Sequence, residues 1–275
     1  MPRQRALQFT CHGCRLFGIL HVPDEPLQRG VLIVTGGPQY RVGSHRQFVL
    51  LARHLAEHQV PVMRFDYRGM GDSEGELRGF EHIQDDLEAA ICEFFTAMPQ
   101  LQELVLWGLC DGATAAAFHA PGDPRVTGLI MANPWVRTSQ GEARTTLRHY
   151  YAQRLRDREF WAKLANGRFG FGGAVRSLRQ VATAASRPST LVETLPERLY
   201  QSLQRFHGQV LIILSGADLG AREFMALPRQ HKHWRTLLAS PRVRQTVIAN
   251  ANHTFARQVW RDEVAAICAH WIRTW

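Results

Sequence analysis

The stretch Trp107–Phe118, WGLCDGATAAAF, constrains this chain more than any other. An apolar run, Leu104–Trp107, leads into Gly108-Leu109-Cys110-Asp111-Gly112, and an alanine-rich run follows. The first run reads as a buried strand, and the last as a helix whose small side chains allow close packing. The two glycines flanking Cys110 permit a tight turn and let the helix approach the strand. A sharp strand–turn–helix junction of this kind lifts its apical side chain clear of the sheet. Here that side chain is a thiol.

The flanking sequence supplies the rest of a sheet. Val31–Thr35 is a continuous apolar, β-branched run suited to a doubly covered strand, and Val60–Phe65, Val126–Ala132, Val210–Leu214 and Val243–Ile248 read as further strands. Between them, Phe48, Leu51, Ala52 and Leu55 recur at helical spacing, as do Ile83, Leu87, Ile91, Phe94 and Met98. Trp260, Val264, Ile267, Cys268 and Trp271 mark a last helix. Ala6–Val22 reads as two short antiparallel strands joined at His12-Gly13. This alternation predicts an α/β fold, with a mostly parallel central sheet covered by helices on both faces. The 275 residues suffice for one such domain spanning 1–275. From about Val136 to Phe206 the apolar β runs stop. Helical segments at Leu147–Leu164 and Leu195–Phe206 flank a glycine-rich patch, Gly167–Gly173. Residues 137–207 therefore read as a helical cap inserted between core strands, walling a pocket.

Sites in open parallel sheets form at the carboxyl ends of strands. Three such ends offer Cys110, Asp218 and His253, in that chain order. Nucleophile, acid and histidine in this order make a catalytic triad. Asp218 would fix the histidine tautomer, and His253 would take the thiol proton of Cys110. An oxyanion formed from a carbonyl then needs two backbone donors. Asp111 offers one at the start of the elbow helix, and the loop after Val31–Thr35 offers the other. Gly37 is the expected donor there, since Pro38 has no N–H; Gln39 is the fallback.

The elbow, the DYRGMGDS loop from Asp66 and the GGPQYRVGSHRQF segment from Gly36 resemble the α/β-hydrolase superfamily. More narrowly they resemble exosortase A system-associated hydrolase 1, a group found beside exopolysaccharide genes. The resemblance is strongest in Gly36–Ser73, Gly108–Gly112, Ser215–Phe224 and Asn250–Phe255, and weakest in the expected cap. It implies the α/β-hydrolase fold and a hydrolase with cysteine in the elbow, and it gives Asp66, Arg68 and Asp72 a structural part in holding their loop.

Chemistry follows from the thiol. A thiolate leaves a tetrahedral intermediate more easily than an alkoxide, so attack on an unactivated ester tends to reverse. The expected substrate is an acyl compound with a comparable leaving group: a thioester, an activated ester or a lactone, either a small molecule or lipid- or polysaccharide-linked. Transfer to an acceptor other than water is the alternative, as is a non-catalytic scaffold that binds a ligand or partner. The triad requires no cofactor and no metal. The formal charge of +9 is spread without a compact basic run or a nucleic-acid recognition motif, so no nucleic-acid partner is expected. No segment approaches the roughly 20 apolar residues of a membrane span. The N-terminus lacks a signal-peptide core, and Cys11, Cys14, Cys92, Cys110 and Cys268 follow no disulfide framework, so a cytoplasmic protein is expected. Cys11 and Cys14 form a lone C-x-x-C with no second ligand pair, which argues against zinc.

Overall fold

The strands are β1 (Arg3–Cys11), β2 (Cys14–Val22), β3 (Arg29–Val34), β4 (Val62–Asp66), β5 (Glu103–Leu109), β6 (Val126–Ala132), β7 (Gln209–Ser215) and β8 (Val243–Ile248). The helices are α1 (Gln47–Glu57), α2 (Gln84–Ala97), α3 (Asp111–His119), α4 (Leu195–Arg205), α5 (Leu219–Gln230), α6 (Lys232–Leu238) and α7 (Gln258–Ile272). This computed structural model describes residues 2–37, 39–137 and 193–275. The contacts divide the chain into Met1–Val136 with Leu199–Trp275, and a second unit, Arg137–Arg198. The sheet lies wholly in the first. Most of the expected cap, with its segment Leu147–Leu164 and patch Gly167–Gly173, lies outside the described residues; its final helical stretch is α4.

The eight strands form one sheet in the order β1-β2-β4-β3-β5-β6-β7-β8. All pairs from β4 to β8 are parallel, and β2 is antiparallel to both β1 and β4. The β1–β2 hairpin turns through His12 and Gly13, both at positive φ, as a two-residue turn matched to strand twist requires. Cys11 and Cys14 are the paired residues beside that turn, and both are free thiols. The C-x-x-C spacing is thus the spacing of a hairpin closure.

Alternation along each central strand divides two cores. Leu32, Val34, Leu104, Leu106, Leu129, Met131, Ile212 and Leu214 face a cluster completed by α2 and α3. Val31, Ile33, Val105, Trp107, Ile130, Ala132, Leu211 and Ile213 face the opposite cluster, completed by α1 and α7. Every residue of β3 after the first is buried, as is every residue of β5 after the first, so their continuous apolar runs reflect burial on both sides. Because β3 is flanked by β4 on one side and β5 on the other, the direction of winding reverses between β3 and β5. In open parallel sheets, sites form at the carboxyl ends of the strands where the winding reverses.

A buried ion pair pins the loop after β4. Arg68 donates from its backbone N–H and its Nε to Asp86 Oδ1 at 2.9 and 2.8 Å, and from Nη2 to Oδ2 at 2.8 Å. Arg68 is 3% exposed and Asp86 is fully buried. Removing one member leaves the other buried and unpaired, which is the costly direction. Asp86→Ala should lower unfolding stability by about 3–5 kcal/mol, measured by urea denaturation; a loss under about 1 kcal/mol would match an exposed pair instead.

Candidate active site

Cys110 stands between β5 and α3 with φ 59° and ψ −126°. A residue with a β-carbon is strained at such a positive φ. The surroundings hold it there. The Cys110 N–H donates to Ala132 O at 2.9 Å, and the Cys110 carbonyl accepts from Ala113 N–H at 3.1 Å and Trp135 N–H at 3.2 Å. Thr114 Oγ1 donates to Trp135 O at 2.8 Å, which fixes the strand-end loop against the helix. The flanking glycines are required by contact. A β-carbon on Gly108 would lie 2.5 Å from Ala113 N, and one on Gly112 would lie 2.6 Å from Val34 O. Helix α3 therefore abuts both its own strand and β3.

Asp218 follows β7 and caps α5, its Oδ2 accepting from Ala221 N–H at 2.8 Å. The same oxygen lies 3.1 Å from His253 Nδ1. A helix cap thus sets the orientation of the acid, and the acid sets the orientation of the imidazole. His253 also hydrogen-bonds the Cys110 side chain. The Asp218 hydrogen bond first, and then the Cys110 hydrogen bond, push the His253 imidazole up to about 10 against the opposing effect of burial. The expected three side chains are brought together.

Two polar residues that sequence reasoning passed over hold the histidine loop. Asn133, buried at the end of β6, donates from Nδ2 to Ser215 Oγ at 2.8 Å and to the His253 carbonyl at 2.9 Å. Asn133 Oδ1 accepts from Ser215 N–H at 2.8 Å, and Ser215 Oγ donates to Asn252 O at 2.9 Å. Gly216 N–H and Ala217 N–H donate to Ile248 O and Ala251 O at 2.9 and 3.0 Å, so the acid loop and the histidine loop are stitched directly. The only sequence signal was a polar residue at the carboxyl end of each of two core runs.

One expected oxyanion donor is engaged by a resident group. Gly37 N–H donates to Asp111 Oδ2 at 2.9 Å, and Gly112 N–H donates to Asp111 Oδ1 at 3.0 Å. Of the two expected donors, Gly37 N–H therefore faces the Asp111 side chain. The fallback donor, Gln39 N–H, is turned away to Gly37 O at 2.8 Å. Tyr67 Oη donates to Gly37 O at 3.3 Å from below, and burial, then the charge of Asp111, push this phenol up to about 12.

Asp66 and Asp72 are bound into their own loop network. Asp66 Oδ1 accepts from Arg41 N–H at 2.7 Å, Asp66 Oδ2 pairs with the Arg41 guanidinium, and Asp72 Oδ2 accepts from Arg41 Nη2 at 2.7 Å. Ser73 Oγ donates to Asp66 O at 2.6 Å. The Arg41 bonds tie the loop after β4 to the one carrying Gly37, and the Arg68–Asp86 pair ties it to α2.

A mostly parallel central sheet carries a strained elbow at Cys110 and a histidine beside a strand-end acid, and residues 31–267 match the description "Alpha/beta hydrolase family". The chain belongs to the alpha/beta hydrolase family. Among solved structures, the chain is similar to the Pyrococcus furiosus esterase Pf2001, at 14% identity and a TM-score of 0.69, covering 100% of this chain and 92% of the other. It is also similar to a dienelactone hydrolase from Anabaena variabilis, at 15% identity and a TM-score of 0.64, covering 98% and 96%. A curated relative, the polyketide transferase grgF of a Penicillium species, is 28% identical over 145 residues, which span 50% of this chain and 46% of that protein. The matched region thus covers about half of that relative. Among the described residues, no helix is long and apolar enough to cross a membrane.

The acid–histidine bond carries a pH signature. The folded-state pKa of His253 lies above its ordinary value, so the stability this charge contributes is fully present below about pH 6.5 and is lost as pH rises through about 10. Asp218→Asn should move the His253 titration, followed by NMR of the imidazole, down by at least about one unit. A midpoint unmoved by the substitution would show that Asp218 does not hold the proton on the ring.

Proposed function

We propose that this alpha/beta hydrolase cleaves acyl substrates through a Cys110–His253–Asp218 triad and an acyl-cysteine intermediate. What supports the reading most is the hydrogen-bonded chain from the Asp218 carboxylate through the His253 ring to the Cys110 side chain. His253, protonated and held by Asp218, stabilises the Cys110 thiolate as its partner. The thiolate sulfur forms a bond to the carbonyl carbon, and the C=O π pair moves onto oxygen. Collapse of that intermediate expels the leaving group, which takes the proton from His253. The neutral imidazole then removes a proton from water as the water oxygen attacks the acyl-cysteine. The Cys110 sulfur departs as thiolate, the acid product is released, and His253 again carries the proton.

The thiol sets the substrate class. Partition of the tetrahedral intermediate favours the forward direction only when the leaving group departs about as readily as Cys110 does, which selects thioesters, activated esters and lactones. The resemblance to exosortase-associated hydrolases supports a lipid- or polysaccharide-linked acyl group from exopolysaccharide assembly. Residues 137–207 would be the cap that shapes the acyl pocket, and the free thiols fit the reducing cytoplasm.

A second reading replaces water with another acceptor, making the protein an acyltransferase. The similarity to a polyketide transferase favours it.

A matched panel tests the substrate class. With one acyl group presented as a thioester and as an ethyl ester, kcat/KM should favour the thioester by at least about tenfold beyond their difference in uncatalysed reactivity. Equal or faster turnover of the ethyl ester would contradict the thiol-based reading. Adding alcohols and amines to the thioester reaction separates the two acceptors, by whether free acid or new ester and amide accumulate.

A further inference from the structure

We propose that the Asp111 carboxylate is a gate on the oxyanion site: it fills the site at rest and has to withdraw before a substrate carbonyl can be polarised there. The inference rests on the triad reading of Cys110, since an oxyanion site has meaning only beside a nucleophile.

The geometry is that of an occupied anion pocket. Its walls are backbone N–H groups at the start of α3 and in the loop after β3. Gly37 N–H reaches one carboxylate oxygen at 2.9 Å, and Gly112 N–H reaches the other at 3.0 Å. The pocket is also shaped to the carboxylate. A β-carbon on Gly36 would lie 2.3 Å from Asp111 Oδ1 and 2.5 Å from Leu109 O, so only glycine at position 36 leaves room for the side chain where it sits. Gly37 takes φ +55°, which turns its N–H to the carboxylate while its carbonyl accepts from Tyr67 Oη. Burial pushes the carboxyl up, and the hydrogen bonds from Gly37 and Gly112 oppose that, with the His253 charge adding a smaller pull in the same direction.

Competition for these donors decides the consequence. Bonds to an ionised carboxylate are roughly twice as strong as those between neutral groups. A neutral substrate carbonyl therefore loses to Asp111 for Gly37 N–H. An oxyanion in the tetrahedral intermediate carries a comparable charge and competes on equal terms. The enzyme would pay for opening the gate in each acylation and deacylation step, and a substrate whose binding draws Asp111 aside would be favoured over one that does not. Asp111 thus acts as a specificity-determining residue, through its side chain, on a site to which it also contributes a backbone donor.

The test compares two reactions of Cys110 that differ in their need for the site. Alkylation by iodoacetamide occurs at a tetrahedral carbon and forms no oxyanion; acylation by a p-nitrophenyl ester does. Asp111→Ala keeps the backbone N–H and removes the occupant. It should raise the single-turnover acylation rate by about ten- to a hundredfold while changing Cys110 alkylation by no more than about twofold, and a trifluoromethyl ketone inhibitor should bind more tightly by the same factor as acylation rises. Asp111→Asn, which keeps the shape and loses the charge, should show a smaller gain and guards against misfolding of the alanine variant. Fast Cys110 alkylation with unchanged or slower acylation in both variants would overturn the gate and leave the triad standing. Alkylation of wild-type Cys110 no faster than that of exposed Cys92 would overturn the triad reading, and the gate with it.

Discussion

The backbone of Cys110, held at φ 59° and ψ −126°, is the constraint on which the site depends. A conformation of this kind costs of order 1–3 kcal/mol and persists only where its surroundings over-determine it. The surroundings here are the centre of the sheet. β5 is paired on both sides, its successor β6 accepts the Cys110 N–H, and α3 is packed so closely on β5 and β3 that neither elbow glycine has room for a methyl group. Two buried cores on opposite faces of the sheet stabilise that arrangement. The strain is thus borne by the part of the fold best able to bear it.

Everything else in the site is placed relative to that point by hydrogen bonds between strand ends. Asp218 is oriented by capping a helix, His253 by Asp218 and by the Asn133–Ser215 pair, and Gly37 by Tyr67 and the Asp111 carboxylate. The Arg41–Asp66 and Arg68–Asp86 contacts secure the neighbouring loop. These interactions gather at the carboxyl ends of the parallel strands, where the winding reverses between β3 and β5. These bonds hold the thiol-bearing elbow and the histidine loop in place, while the Gly37 N–H is engaged by the Asp111 carboxylate.

Much of this was legible in the sequence, and the reasons differ by element. The central strands were legible because burial on both faces writes a continuous apolar run, as in Val31–Val34 and Leu104–Trp107. The approach of Cys110, Asp218 and His253 to one another was legible because each follows a strand read from the sequence. Strand order was not legible, since nothing in β3 alone says that β4 and β5 lie on either side of it. Asn133 and Ser215 were missed for that reason: an asparagine after a strand reads as a turn former until β6 and β7 are known to be neighbours. The occupancy of the Gly37 N–H was missed for another. Spacing identifies which N–H groups can converge, but the Asp111 carboxylate reaches them by a choice of side-chain rotamer that spacing does not encode.

The central claim is that the Cys110 sulfur carries the acyl group, and trapping that intermediate tests it most directly. A thioester substrate mixed with the enzyme, quenched in acid within the first turnover and analysed by peptide mass mapping, should show the acyl mass on the peptide containing Cys110, and no acyl-enzyme or turnover in Cys110→Ala. Turnover that continues in Cys110→Ala, or an acyl group found on another residue while Cys110 stays unmodified, would contradict it.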